Sequence, residues 1–161
     1  PYITERWPGG LLTNFSTIRK SIKKMERIDK MTEDGTLDTL SKRERLQISR
    51  TRGKLEKNLG SIVSMNRMPS AIFIVDINKE HIAVSEALKL GIPTFGMVDT
   101  NSDPNLITYP IPANDDSTKS IKKIIETVTV AIKEGLSDRR ELNIKNQSEK
   151  SEKSNKKQKD Q

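Results

Sequence analysis

Acidic and amide side chains gather where they could form a catalytic site. They follow three predicted parallel strands, at the point where each strand ends: Asp76, Asp99, Asn101, Asp103, Asn114, Asp115 and Asp116. Open parallel sheets bind ligands beyond the carboxyl ends of their strands, and oxygen ligands of this kind hold Mg²⁺. One hypothesis is therefore a nucleotide- or Mg²⁺-dependent α/β enzyme that uses Asp76, Asp99 and Asp116.

The rest of the sequence argues against catalysis. It has no glycine-rich phosphate loop of either common spacing, and no Ser or Cys in the setting of a nucleophile elbow. His81 is the only histidine, and its place beside acids at a helix start is typical of a surface or capping residue. Asp and Asn also form turns and cap helices. With no cysteine present, we predict no catalytic residue, no metal site and no cofactor.

Basic residues give the stronger signal. Thirteen Lys and Arg between Arg19 and Lys57 face seven acids, an excess of six in a chain whose net charge is +7. Such an excess favours a polyanionic partner, because each neutralised phosphate releases condensed counterions; a merely soluble basic surface is the alternative. The predicted phosphate contacts are Arg19, Lys20, Lys23, Lys24 and Arg27 on a first arm, and Arg43, Arg45, Arg50, Arg52 and Lys54 on a second.

The arms that carry these charges are predicted to form a projecting coiled-coil hairpin over residues 13–62. Each arm has only a narrow apolar stripe, which fits two helices packed on each other. A turn at Asp34-Gly35 separates them, Ser41 and Glu44 form a capping box for the second arm, and Gly60 has the place of a C-cap. The apolar positions are Ile18, Ile22, Met25 and Ile28, then Ile48, Leu55, Leu59 and Ile62.

The hairpin interrupts a predicted α/β domain made of residues 1–12 and 63–136. Alternating strands and helices predict a parallel sheet. Residues 137–161 are predicted to form a flexible tail, since Ser148–Gln161 has no apolar residue. The predicted strands are Tyr2–Trp7, Ala71–Ile77, Pro93–Val98 and Leu106–Ile111, and the helices run from Asn78 to Leu90, closed by Gly91, and from Ser117 to Lys133, ending at Gly135.

Arg6 and Trp7 stand at the base of the hairpin, before a glycine pair. An indole can stack on a nucleotide base while a guanidinium pairs with phosphate. The same Trp7 could instead fix the base of the hairpin to the sheet. The sequence leaves both interpretations open.

Several motifs occur together in one order. The run Arg6–Phe15 (RWPGGLLTNF) resembles the RW-x-GG-x-LTN signature of the bacterial small-subunit ribosomal protein family S-two, and further segments match the family in turn: Lys54–Gly60, Pro69–Asp76, Glu80–Ala83, Glu86-Ala87, Gly91–Pro93, Val98–Pro104 and Ile111–Asp116. The resemblance covers residues 3–135. This resemblance is a more specific indication of function than the excess of basic residues.

The resemblance implies a non-enzymatic protein of the small ribosomal subunit in the bacterial cytoplasm, with an organellar ribosome left open. The implied fold is a flavodoxin-like three-layer α/β domain carrying the coiled-coil hairpin. Small-subunit rRNA is the implied partner, together with other small-subunit proteins including the large mRNA-binding one. Arg6, Trp7, Thr13 and Asn14 would position the base of the hairpin. No membrane and no small-molecule substrate are implied.

Two departures from the family affect the expected fold. Pro8 replaces the leucine usual in the signature, and the family carries a preceding segment with a strand between Tyr2–Trp7 and Ala71–Ile77. We therefore expect an incomplete sheet whose flanking strands have unpaired edges, in a piece of a longer protein. Besides the enzyme, the remaining alternative is a protein-docking module that uses its hairpin as an adaptor.

Overall fold

The computed structural model describes the backbone of residues 1–159 and the side chains of residues 1–142. Within this range the chain is an α/β protein with four α-helices and one three-stranded sheet. The elements are α1 Phe15–Glu33, α2 Lys42–Leu59, β1 Ile72–Ile74, α3 His81–Leu90, β2 Thr94–Val98, β3 Tyr109–Pro112 and α4 Thr118–Lys159, with 3₁₀ turns at Thr36–Thr39, Gly60–Ile62 and Pro104–Leu106. Residues 1–113 form one compact unit, and the described residues from 114 onward form another.

The sheet is parallel, as predicted, with the strand order β1-β2-β3. Ile72 of β1 lies opposite Thr94 of β2, and Phe95 of β2 lies opposite Tyr109 of β3. The rings of Phe95 and Tyr109 stack with centroids 4.6 Å apart. β2 is therefore the central strand, with hydrogen-bonded neighbours on both sides.

A small apolar core lies between the sheet and α3. It contains Ile74, Ile77, Ala83, Val84, Val98 and Ile107. Gly96 of β2 lies against it, where an added Cβ would come within 2.9 Å of Ile77 Cγ2 and 3.3 Å of Ile107. The central strand can approach this core so closely because residue 96 has no side chain.

Gly96→Ala should therefore destabilise the fold. Overpacking a well-packed core costs about 1–3 kcal/mol, and we expect a loss in that range in the free energy of unfolding measured with denaturant. Gly53→Ala is the matched control, since Gly53 lies in α2 with nothing within 4 Å of the added Cβ. Equal stabilities for the two variants would contradict the tight packing at Gly96.

The predicted strands differ from the observed ones in three places. Residues 2–7 form no strand among the described elements; the Tyr2 carbonyl accepts a hydrogen bond from Ser61 Oγ instead. β1 is shorter than Ala71–Ile77, because the Asp76 carboxylate accepts from the amide of Asn78 at 3.0 Å and organises a turn there. The third strand begins only at Tyr109, since Pro104 starts a 3₁₀ turn capped by the Asp103 side chain.

The helix ends agree with the local sequence signals better than the strand ends do. Ser41 and Glu44 form the reciprocal capping box at the start of α2, and Gly91 ends α3 in the left-handed region at φ 65°. Gly35 also turns through a positive φ of 74°. Gly60 is the C-cap of α2, as predicted, although it keeps a right-handed conformation and continues into a 3₁₀ turn. The predicted start of α3 is wrong, since the helix begins at His81 with Glu80 as its N-cap rather than at Asn78.

The last helix is longer than predicted. α4 runs from Thr118 through Gly135 to Lys159, so the predicted stop at Gly135 is wrong. A glycine inside a helix costs only about 1 kcal/mol relative to alanine, and the residues after it include the good helix formers Leu, Arg, Glu and Lys. The flexibility predicted for residues 137–161 stays a prediction; the side chains from 143 and the whole of residues 160 and 161 lie outside the described part.

Among the described helices, none combines the length and the apolar character that a membrane crossing requires.

Candidate nucleic-acid interface

The two long helices α1 and α2 pack on each other as a hairpin. Near its base, Ile22 of α1 and Leu59 of α2 are buried in one apolar cluster with Leu11 and Ile62. Ile18 and Leu55 pack against the same cluster. The inner faces of the arms are therefore apolar at the base, and the Leu11 segment is joined to them.

Arg52 holds the two arms together. Its Nε donates to Asp29 Oδ1 of α1 at 2.6 Å, and its guanidinium also pairs with Glu56 one turn further along α2. The hydrogen bond to Asp29 is the main cause that raises the pKa of Arg52 above its usual value, against an opposing effect of desolvation. Because Arg52 already has two carboxylate partners, its first role is to link the two arms rather than to bind phosphate.

Two other predicted phosphate contacts also have partners inside the protein. Arg19 donates from Nη1 to the carbonyls of Val63 and Met65, each at 3.3 Å, so it fastens the start of α1 to the segment after α2. Arg45 pairs with Asp38 at 3.2 Å. That pair is more exposed than the bonds of Arg19.

The remaining predicted phosphate contacts are exposed on the arms. Their side chains form no ion pair in the part of the chain whose side chains are described. They are Lys20, Lys23, Lys24 and Arg27 of α1, and Arg43, Arg50 and Lys54 of α2. The arms therefore present at least seven exposed cations that form no ion pair with a described side chain.

The base of the hairpin is held by the carboxylate of Glu86, a residue of α3. Its Oε1 accepts from the amide of Gly10 at 2.6 Å, and its Oε2 accepts from the amides of Leu12 at 2.8 Å and Thr13 at 3.0 Å. The Thr13 hydroxyl adds a fourth bond at 3.2 Å. Gly10 reaches this arrangement with a φ of 82°, which only glycine adopts at little cost.

Burial and hydrogen bonding act on Glu86 in opposite directions. Its side chain is only 7% exposed, and this desolvation raises the pKa of the carboxyl. The backbone bonds from Thr13, Leu12 and Gly10 outweigh it, and the resulting pKa lies below the ordinary value. Glu86 therefore remains an anion at neutral pH, bound by the amides that precede α1.

Glu86 is the functional residue that the sequence prediction missed as a site residue. A signal for it existed, because Glu86 occupies a position on the buried side of α3 together with Ala83, Val84 and Ala87. A buried carboxylate requires partners, since an unpaired one is costly. The sequence could have shown that a partner exists, but not that three amides some 75 residues earlier would supply it.

Trp7 fixes the base of the hairpin. Its side chain packs against both apolar clusters, that of the sheet and that of the hairpin, as the second sequence interpretation proposed. Arg6 and Trp7 line one cleft of about 440 Å³ with Asn58 and Ile82. Of the other predicted base residues, Thr13 is bound to Glu86, and Asn14 is exposed at the N-cap of α1 without a capping side-chain bond.

The strand-end acids organise their own loops. Asp76 accepts from the amide of Lys79 at 2.8 Å and pairs with its ammonium at 2.9 Å. Desolvation raises the pKa of Asp76, but the bonds from Lys79 and Asn78 lower it below the ordinary value. Asp99 accepts from the Thr100 amide at 2.6 Å. These contacts account for the residue types without catalysis.

Other loop residues follow the same pattern. Asp103 accepts from the amide of Asn105 at 2.9 Å, and Asn114 accepts from the amide of Ser117 at 2.6 Å before α4 begins. His81 is exposed, with its ring 3.3 Å from the Asn78 carbonyl. Over the described residues, no three His, Asp or Glu side chains come close enough to hold a metal ion.

The chain is similar to known ribosomal proteins. Residues 1–135 match the family model described as Ribosomal protein S2. Over 139 residues the chain is 68% identical to a protein of Flavobacterium johnsoniae named small ribosomal subunit protein uS2, covering 86% of this chain and 55% of that protein. A protein of the same name from Porphyromonas gingivalis is 67% identical over 140 residues, covering 87% of this chain and 50% of that protein.

The chain therefore spans about half the length of these curated relatives. The family match nevertheless includes all the elements that build the hairpin and its base, from the amides of Gly10 and Thr13 to Glu86. With more than four fifths of the chain matched, it belongs to the ribosomal protein S2 family.

Proposed function

We propose that this chain is a structural component of the small ribosomal subunit that binds small-subunit rRNA through its basic hairpin and the base of that hairpin. The observation that supports this most directly is the set of seven exposed cations on α1 and α2 that form no ion pair with any described side chain. Contacts to phosphate position a protein on RNA without reading its sequence. The hairpin would therefore recognise the shape of folded rRNA.

Different segments of the chain have different roles. Residues 13–62 act as a coiled-coil hairpin, and residues 1–12 and 63–136 belong to a flavodoxin-like three-layer domain. The hairpin and its base stabilise the region between head and body of the subunit, and the domain helps dock a neighbouring ribosomal protein, such as the large mRNA-binding one. Its location is the ribosome in the bacterial cytoplasm.

The enzyme alternative built on Asp76, Asp99 and Asp116 is not supported. The ribosomal protein S2 family is a structural, non-enzymatic part of the ribosome, and Asp76 and Asp99 bind backbone amides of their own loops. The adaptor alternative is also weaker, because the outer surfaces of the arms carry cations rather than an apolar face for a partner helix.

Co-sedimentation tests the proposal. Small subunits stripped of their own S2 protein are mixed with the 161-residue chain and centrifuged through a sucrose gradient. We expect the chain to move with the particles at low salt and to be released as salt rises, because phosphate contacts are lost by competition with counterions. A chain that stays at the top of the gradient at every salt concentration would contradict the proposed function.

A further inference from the structure

The exposed cations of α1 lie on one side of the helix. Lys20, Lys23, Lys24 and Arg27, here called the α1 stripe, follow the spacing i, i+3, i+4, i+7 that places residues on one helical face. The buried residues Ile22 and Met25 occupy the opposite face, since each lies two positions from two members of the stripe, and residues two positions apart in a helix point about 200° apart. The α1 stripe therefore faces away from α2.

The same holds for α2. Arg43, Arg50 and Lys54, here called the α2 stripe, are related by steps of seven and four residues and also share one face. The inner face of α2 is formed by Leu55 and Leu59, which pack on the α1 side. The α2 stripe points away from this inner face, and hence away from α1.

Most acids of the arms lie away from the two stripes. Asp29 and Glu56 are engaged with Arg52, and Glu44 closes the capping box. Glu26, three residues after Lys23, borders the α1 stripe. Between Ser16 and Ile62 there is also no aromatic residue that could stack on a base. Each stripe is therefore a row of cations suited to a sugar-phosphate backbone rather than to exposed bases.

We propose that the hairpin is inserted between two separate rRNA segments, one bound by the α1 stripe and the other by the α2 stripe. This inference rests on the proposed function and specifies it. Two packed helices with side chains measure about 20 Å across, so one backbone lying along α1 cannot also reach the far side of α2. The hairpin neutralises both segments and so keeps them together.

The first test removes each stripe separately. One variant of the 161-residue chain carries Lys20→Ala, Lys24→Ala and Arg27→Ala; the other carries Arg43→Ala, Arg50→Ala and Lys54→Ala. For binding to intact small-subunit rRNA, we expect each variant to lower the slope of log affinity against log salt by about two units, because each lost phosphate contact contributes about 0.7–0.9. An effect of one stripe alone would overturn the two-sided arrangement, and no effect of either would contradict hairpin binding itself.

The second test maps the RNA on each side. The chain has no cysteine, so a single introduced cysteine carries a photocross-linker at a chosen place. One variant carries Ser16→Cys, one turn before Lys20 on the face of the α1 stripe. The other carries Gln47→Cys, between Arg43 and Arg50 on the face of the α2 stripe. Both positions are exposed. After irradiation, primer-extension stops identify the cross-linked nucleotides.

We expect the two positions to cross-link to nucleotides of different rRNA segments. Cross-links from both positions to the same short segment would overturn the proposal while leaving rRNA binding by the hairpin intact. Cross-links from one side only would overturn it as well. Co-sedimentation of both labelled chains, carried out alongside, separates these outcomes from a failure to bind RNA at all.

Discussion

Glu86→Ala should lower the free energy of unfolding by about 3 kcal/mol, the largest loss of stability that we expect from a single substitution. A hydrogen bond to a charged group contributes about 1.5–3 kcal/mol, and Glu86 accepts four from Gly10, Leu12 and Thr13. The sum is reduced because the bonds share one acceptor group and are not additive. Denaturant unfolding measures the loss, and faster hydrogen exchange at the amides of Leu12 and Thr13 shows where it arises.

The anionic form of Glu86 makes this contribution dependent on pH. Hydrogen bonding lowers the folded-state pKa of Glu86, whereas an unfolded glutamate titrates at about 4.3. A lowered folded pKa adds stability above the unfolded pKa, and this stability is lost as the pH falls through 4.3 toward the folded pKa. The stability difference between the original chain and Glu86→Gln should therefore be full at pH 6–7 and shrink at lower pH.

Glu80→Gln is the matched control for the two Glu86 variants. Glu80 is also in the α3 region, at its N-cap, but its side chain makes no capping hydrogen bond. We expect less than about 0.5 kcal/mol from it, as for most surface substitutions. If Glu86→Gln were no more destabilising than Glu80→Gln at neutral pH, the Glu86 carboxylate would not hold the hairpin base.

Local signals in the sequence predicted some helix ends well because they act over short distances. The capping box of Ser41 and Glu44 needs only four residues, and the positive φ of Gly91 follows from its place after the last turn of α3. The parallel sheet followed from alternating buried strands and helices. The capping box and the turn at Gly91 are each determined by residues within one or two helical turns.

The features that the sequence did not predict depend on distant partners. Residues 2–7 have the alternation of a strand, but a strand also needs a neighbouring backbone, and their contacts are made with Ser61 and the apolar clusters instead. Arg19 and Arg52 look like any exposed cations until their acceptors at Val63, Met65 and Asp29 are known. Tertiary contacts therefore decide which cations of the arms are left without an ion pair among the described side chains.

These free cations give the largest expected effect on binding. A variant with six alanines, at residues 20, 24, 27, 43, 50 and 54, should bind small-subunit rRNA about a thousandfold more weakly near 0.1 M salt. Its slope of log affinity against log salt should fall by about four units, because six phosphate contacts contribute about 0.7 each. Filter binding over a salt series measures both quantities, and circular dichroism checks that α1 and α2 remain helical.

The control variant removes the same number of charges elsewhere in the chain. α4 offers six exposed cations for replacement by alanine: Lys119, Lys122, Lys123, Lys133, Arg139 and Arg140. Both variants lose six units from a net charge of +7, so a binding mode that depends only on total charge would weaken equally in both. We expect the α4 variant to keep most of its affinity. Equal losses would show that general charge, and not the two stripes of the hairpin, attracts the RNA.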